Sequence, residues 1–420
     1  NYISSFYMVK VLHFSDIHLG SGLSHGKVNP KTGFNTRLED FIKCLSLSID
    51  NAIREQVDIV LFGGDAFPNS TPPPYIQEAF ATQFRRLANA NIPTVLLVGN
   101  HDQHSQVNGG ASLSIYRTLE VPGFIVADSL KTHKVLTKNN YVQVVALPWL
   151  TRSSLLTKTK TEGLSLEQID NLLLEALGPA LESEIRKLNP SYPTILLAHL
   201  MVDRARFGTE KFLAVGRGFT IPISLLMRSE FDYVALGHVN KHQNLNPQNN
   251  TPIVYPGSIE RVDFSEEKEE KGYVLLTIDK KQTSWNFCSL PARSFITIKV
   301  DVSQSIDPQK TLIDNIKKKP IAEAIVRLNN QIRSEQLELV NVSSIHKILA
   351  SSHSYTICPE IINEISRVRL PELGFGKSLD PIEALKTYLD NRNDIKDITN
   401  DMLETAYSLL NEKDEIIELE

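Results

Sequence analysis

The stretch that most constrains this chain is Leu96-Leu97-Val98-Gly99-Asn100-His101-Asp102. An apolar run ends at a glycine, and three side chains able to bind a metal or carry a proton follow at once. Such a segment delivers chemistry to the edge of a sheet. Taken singly, the polar tetrapeptide reads equally well as a turn. Here the layout recurs four times. Met8–Phe14 leads into Ser15-Asp16-Ile17-His18, and Val57–Phe62 into Gly63-Gly64-Asp65. Pro193–Ala198 leads into His199, and Phe231–Leu236 into Gly237-His238. Five apolar runs, each ending in Asp, Asn or His, predict one site assembled from strand ends. Helical periodicity over Asn35–Gln56, near Tyr75–Ala90 and over Ser165–Leu188, with Ser165 as N-cap, makes the alternation that of an α/β fold.

Composition sets few limits. With 420 residues, 41% of them apolar, burying a large core is no obstacle. The net charge of −5 carries no whole-chain signature for nucleic acid, although a bound metal can supply a local positive field. Cys44, Cys288 and Cys358 are far apart and read as buried, reduced thiols of a cytoplasmic protein rather than zinc ligands. No apolar run approaches a membrane span, and no secretion pattern opens the chain. Asn1–Tyr7 read as a vector remnant or a native extension.

The strand-end residues Asp16, His18, Asp65, Asn100, His199 and His238 are mixed oxygen and nitrogen donors, too many for one ion. They suit two transition metals sharing a bridging carboxylate, for which Asp65 is the candidate. Such a pair clamps a phosphate and makes hydroxide available near neutral pH. No strand-end Ser or Cys sits beside a base, so a covalent nucleophile is not indicated. The chain has no Gly-x-x-x-x-Gly-Lys loop and is not itself a P-loop ATPase. His101, next to a ligand, can protonate a leaving oxygen, and Asp102 can hold the His101 ring or another ligand in place.

In order, Asp-x-His, Gly-Gly-Asp, Gly-Asn-His-Asp, a lone strand-end His and Gly-His resemble the calcineurin-like metallophosphoesterase family over about the first 240 residues. Asp102, Tyr255-Pro256-Gly257-Ser258 and the C-terminal modules narrow the resemblance to the nuclease subunits of bacterial DNA-repair complexes. That resemblance implies a β-sandwich flanked by helices (8–285), a smaller α/β capping domain (286–368), and a linker with a C-terminal helical pair (369–420). It implies a manganese-dependent exonuclease on double-stranded ends and endonuclease on single strands or hairpins. The implied cofactor is two Mn2+, with Mg2+ or another divalent ion as substitute. The implied partners are DNA and an ABC-type ATPase with a coiled coil, in a homodimer within a heterotetramer, nucleoid-associated and without a membrane. By motif, Asp16 and His18 would hold the first metal, Asp65 would bridge, and Asn100, His199 and His238 would hold the second.

Two departures stand out. The family's Gly-His-x-His is here Gly237-His238-Val239-Asn240, so Asn240 replaces a histidine on the first metal. An amide oxygen is a weaker ligand than imidazole, and the expectation is a weak or empty first site with reduced activity, unless His242 reaches in. Pro68 stands where the family usually has a polar residue. Alternative readings are a phosphoesterase acting on small phosphodiesters and a disabled DNA-end scaffold. Elsewhere, the acidic run Glu266–Glu270 reads as a solvated loop, and Glu260-Arg261 as a phosphate-positioning pair or a surface ion pair. Arg37, Arg261 and the lysines of the cap are candidate DNA contacts, with exposed surface as the ordinary reading.

Overall fold

The computed structural model describes residues 8–104, 110–150, 163–206, 220–248, 251–279, 282–362, 381–390 and 398–417. Asn1–Tyr7 and residues 369–380 of the expected linker lie outside these residues.

The short apolar runs are strands because both of their faces are covered. One six-stranded sheet runs in the order Gln282–Ser289, Gly272–Asp279, Val9–Phe14, Ile59–Phe62, Thr94–Leu97 and Phe124–Ala127. Its last four strands are parallel. A second six-stranded sheet runs Gln243–Asn244, Ile253–Tyr255, Tyr233–Gly237, Thr194–His199, Tyr141–Leu147 and Lys131–Leu136. Its four central strands are parallel. The sheets pack face to face through Val9, Val11, Ile59, Leu61, Val95 and Leu97 against Val144, Ile195, Leu197, Tyr233 and Ala235. Their outer faces are covered by the helices Thr36–Arg54 and Pro74–Asn89 on one side and Leu166–Ile185 on the other. The mixed α/β sandwich expected from the sequence is what the chain forms. Local signals agree with it. The Asn35 side chain accepts from Arg37 N, and Ser165 forms a capping box with Gln168, each cap contributing about 1 kcal/mol.

His13 ties the two sheets together. It is fully buried, with Nδ1 3.1 Å from the Tyr233 hydroxyl and Nε2 3.2 Å from the Leu236 carbonyl oxygen. Burial holds its pKa down to about 3, against the ordinary 6.5. Below pH 6.5 the unfolded chain therefore binds a proton that the folded chain does not. This residue alone should cost about 1.4 kcal/mol of stability per pH unit as pH falls from 6.5 toward 3. Denaturation at several pH values should show a stability slope about that much steeper for the wild type than for His13→Gln. Parallel slopes would sink the idea.

Beyond the sandwich, the chain makes a three-stranded sheet (Phe295–Asp301, Ile325–Arg333 and Ser354–Ile362) with the helices Pro308–Lys317 and Val342–Leu349. This module has its own core of Ile298, Leu312, Ile316, Val326, Leu328, Ile345 and Leu349. It is fastened to the sandwich by Arg293, which pairs with both oxygens of Asp40 at 2.6 and 2.7 Å. Phe295 also meets Phe264 edge to face at 4.9 Å.

Arg37 is fully buried. It is bound to Asp40 at 2.8 Å and to the Arg261 carbonyl at 2.6 Å. Arg261 is likewise used up on the carbonyls of Glu266, Glu269, Ala292 and Arg293. The expectation that these arginines lie on an exposed face is therefore corrected: their carbonyl and carboxylate partners draw them inward. Glu260 is also fully buried. Of the cysteines, Cys44 is buried, Cys288 partly so and Cys358 exposed, and all are free.

The chain divides into two units, Asn1–Ile332 with Glu338–Glu360, and Arg333–Leu337 with Ile361–Glu420. The second contains the helices Pro381–Asp390 and Thr399–Ile417. Ile382 and Leu389 are buried there, while Tyr388, Met402 and Tyr407 are exposed. Among the described residues, no helix is long and apolar enough to cross a membrane.

Candidate metal centre

All five strand-end segments converge. Three come from parallel strands of the first sheet, and His199 and His238 come from adjacent parallel strands of the second. The C-terminal edges of both sheets thus open onto one place. Backbone pairing locks the loops together: Asp16 N donates to Gly64 O at 2.9 Å, and His18 N to Asp65 O at 3.1 Å. Asp102 is the clasp. Its carboxylate accepts from Asp65 N, Ala66 N and Gly99 N at 2.9, 3.0 and 2.9 Å. It therefore orders the Asp65 loop, while the His101 ring is held by the Pro68 carbonyl, 2.9 Å from Nδ1. A Cβ on Gly99 would lie 2.5 Å from Asp65 N, so only glycine lets the two loops meet.

Asp16, His18, Asp65 and His238 all have left-handed φ, at 51°, 46°, 59° and 100°. Each such residue costs on the order of 1–3 kcal/mol and persists only where its surroundings impose it. Four of them in one cluster mark a site whose side-chain directions are selected at the expense of stability.

The side chains form two groups sharing Asp65. Ligand atoms of Asp65, His199 and His238 lie within 4.8 Å of one another, as do those of His18, Asp65 and His101. His199 Nδ1 donates to Gly63 O at 2.6 Å, which turns Nε2 toward Asp65 Oδ2 at 3.4 Å and Asn100 Oδ1 at 2.9 Å. His238 Nδ1 also lies 2.9 Å from Asn100 Oδ1. Asp16 sits beside the second group, 3.9 Å from His18 Nε2, and accepts from His238 N at 3.0 Å. Asp16, Asp65 and Asp102 are all essentially buried. Burial, reinforced by the Asp65 charge, pushes Asp16 up to about 7 and Asp102 up to about 6. Burial also opposes ionisation of Asp65, but His199, His101 and His18 outweigh it and hold this carboxyl well below the usual range. Burial would lower His199, yet pairing with Asp65 raises it to about 9. Burial lowers His18 to about 4 and His238 to about 3, so each ring is neutral and keeps one nitrogen with a lone pair.

Divalent ions fit this donor set. His238 Nε2 is buried with no hydrogen-bond partner, and crowded buried carboxylates face unprotonated imidazoles. Mixed oxygen and nitrogen donors of this kind suit manganese, iron or zinc.

Two further residues escaped the sequence reading. Trp149 follows the strand Tyr141–Leu147, which is not among the five runs that end in Asp, Asn or His. Its ring lies 4.9 Å from that of His238 and 6.0 Å from that of His199, walling the site with apolar surface. Its strand-end position was the available signal. Glu266, read as part of a solvated acidic loop, is buried. It accepts from Asn240 Nδ2 at 2.8 Å and pairs with buried Lys271 at 2.7 Å. The pairing overturns the solvated reading, because a buried lysine needs a carboxylate partner. His242 does not reach the centre. Its Nδ1 is 2.8 Å from Tyr255 O and its ring stacks on Phe287 at 4.0 Å.

The family profile described as calcineurin-like phosphoesterase matches residues 9–242, more than half of the chain. The chain belongs to this family. The matched phosphoesterase region spans every strand end of the centre and stops before the three-stranded module. A relative in Staphylococcus epidermidis, named as the SbcD component of the SbcCD nuclease, is 26% identical over 279 residues, covering 65% of this chain and 67% of its own. A structure from Thermus thermophilus is 14% identical and covers 67% of this chain and 99% of its own, with a TM-score of 0.35. A dimetal phosphatase from Danio rerio is 11% identical and covers 67% and 96%, with a TM-score of 0.39.

Proposed function

We propose that this phosphoesterase is a two-metal DNA nuclease subunit. It would act as an exonuclease on double-strand ends and an endonuclease on single strands and hairpins, with an SbcC-type coiled-coil ATPase in DNA repair and recombination. The observation that carries the two-metal part is the pair of ligand groups meeting at Asp65. The nuclease part is supported by the Staphylococcus epidermidis relative's name and by the additional modules, for which a small-substrate enzyme has no evident need. Residues 8–285 would cut, 286–368 would cap the site, and 369–420 would bind the ATPase, in a homodimer within a heterotetramer.

In this reading Asp16 and His18 hold the first ion, Asp65 bridges, and Asn100, His199 and His238 hold the second. Manganese is the proposed metal. A bound ion pair supplies charge neutralisation and a water acidified to near-neutral pKa. The protein's own contribution is order. The Gly63 carbonyl sets the His199 tautomer, Asp102 holds the bridging loop, and Trp149 keeps water off the His199 and His238 rings. Asn240, tied through Nδ2 to Glu266, brings no imidazole, so reduced activity is expected.

The test is manganese-dependent cleavage of an end-labelled duplex and a hairpin by this chain and by Asn240→His. Faster cutting by the histidine form supports the nuclease with a weakened first site. Equal cutting by both would show that position 240 is not limiting. No cutting by either, with hydrolysis of a small phosphodiester retained, would replace the nuclease reading by a small-substrate one.

A further inference from the structure

The first metal position lacks an imidazole at residue 240. Asn240 Nδ2 is engaged by Glu266, and an amide nitrogen has no lone pair to give a metal in any case. Among the described residues, another imidazole occupies the right place. His101 Nε2 lies 4.0 Å from Asp65 Oδ2, and its ring meets that of His18 edge to face at 5.2 Å. Two nitrogen or oxygen atoms bound to one ion at ~2.1 Å each lie at most ~4.2 Å apart, so the His101–Asp65 separation already admits a shared ion. The ring is also prepared for it. Nδ1 is 2.9 Å from the Pro68 carbonyl oxygen, which only accepts, so Nδ1 carries the hydrogen and Nε2 presents its lone pair toward Asp65. The backbone N of His101 donates to Asp65 Oδ1 at 2.9 Å, fixing the ring's base to the shared carboxylate.

We propose that His101 is itself a metal ligand in this chain, so that His18, Asp65 and His101, with Asp16 beside them, form the first divalent-cation site. This assignment rests on the two-metal reading above and moves His101 from proton donor to ligand. With His18 and His101, the first ion would have two nitrogen donors despite the missing histidine at position 240.

Manganese binding to the metal-free full chain, followed by the EPR signal of free Mn2+, tests it without any substrate. The wild type should bind two ions. His101→Ala should keep one at wild-type affinity and bind the other at least about tenfold more weakly. Two ions at unchanged affinity in His101→Ala would overturn the assignment and return His101 to the proton-donor role. So would a wild type that binds a single ion. Should the variant fail to fold, pulsed EPR on wild-type protein with 15N-labelled histidine decides the matter. Imidazole nitrogens from His18, His101, His199 and His238 are expected on the ion pair, and a count one imidazole short, with a single nitrogen on the first ion, would refute the ligand role. A chain that binds two ions through His101 yet leaves DNA intact would refute the nuclease reading alone.

Discussion

Asp65→Asn should abolish paired metal binding and lower phosphodiester hydrolysis by about 10^3-fold, the scale of losing a central electrostatic element of a reaction site. Among the described residues, Asp65 alone is common to both ligand groups. It is buried, ionised against its burial by three histidines, and aimed by a left-handed backbone at φ 59°. An amide at this position keeps the shape but loses the charge that would bridge two cations. The metal-free fold should survive. The variant loses the pairing with His199, but it also removes the charge that helps raise Asp16 and Asp102. These effects oppose each other, so the lost activity is not lost folding. Manganese stoichiometry and turnover of a small chromogenic phosphodiester read both halves. Two bound ions and activity within about tenfold of wild type would show that the centre is organised around another residue.

Asp102→Ala should be the most destabilising single change near the site, by about 3–5 kcal/mol. The Asp102 carboxylate accepts three backbone N–H groups from two different loops, and truncation leaves all three buried without a partner. Each orphaned donor costs about 1–3 kcal/mol. Relief of the repulsion between Asp102 and Asp65 recovers part of that, which keeps the expected total below the simple sum. Urea denaturation of metal-free protein measures it. Because the clasp sets the Asp65 loop, manganese affinity should fall in parallel. A loss under about 1 kcal/mol would mean that the loops close on each other without the carboxylate.

Much of this was legible before any fold was known. Each strand end carries its chemistry within a few residues of an apolar run, and local order is what a linear sequence records best. The ligand-type residues, the α/β alternation and the cap at Ser165 all belong to that class. Residues whose roles depend on distant partners were not legible. Arg37 reads as a surface cation until Asp40, Glu260 and the Arg261 carbonyl surround it. Glu266 reads as one of several solvated acids until Lys271 and Asn240 bury it. Trp149 gains its place only when two imidazoles from the other strands arrive beside it.

The same boundary runs through the centre. Which donor atoms exist, and that they sit at the ends of buried strands, is written along the chain, because composition and hydrophobic period are local properties. Packing in three dimensions is what gathers these donors into two groups around Asp65. Two sheets had to pack through their apolar faces before His199 and His238 could meet Asp65. The Pro68 carbonyl had to orient the His101 ring before its Nε2 faced that carboxylate. Such directions arise from contacts between residues far apart along the chain, and no spacing in the sequence encodes them.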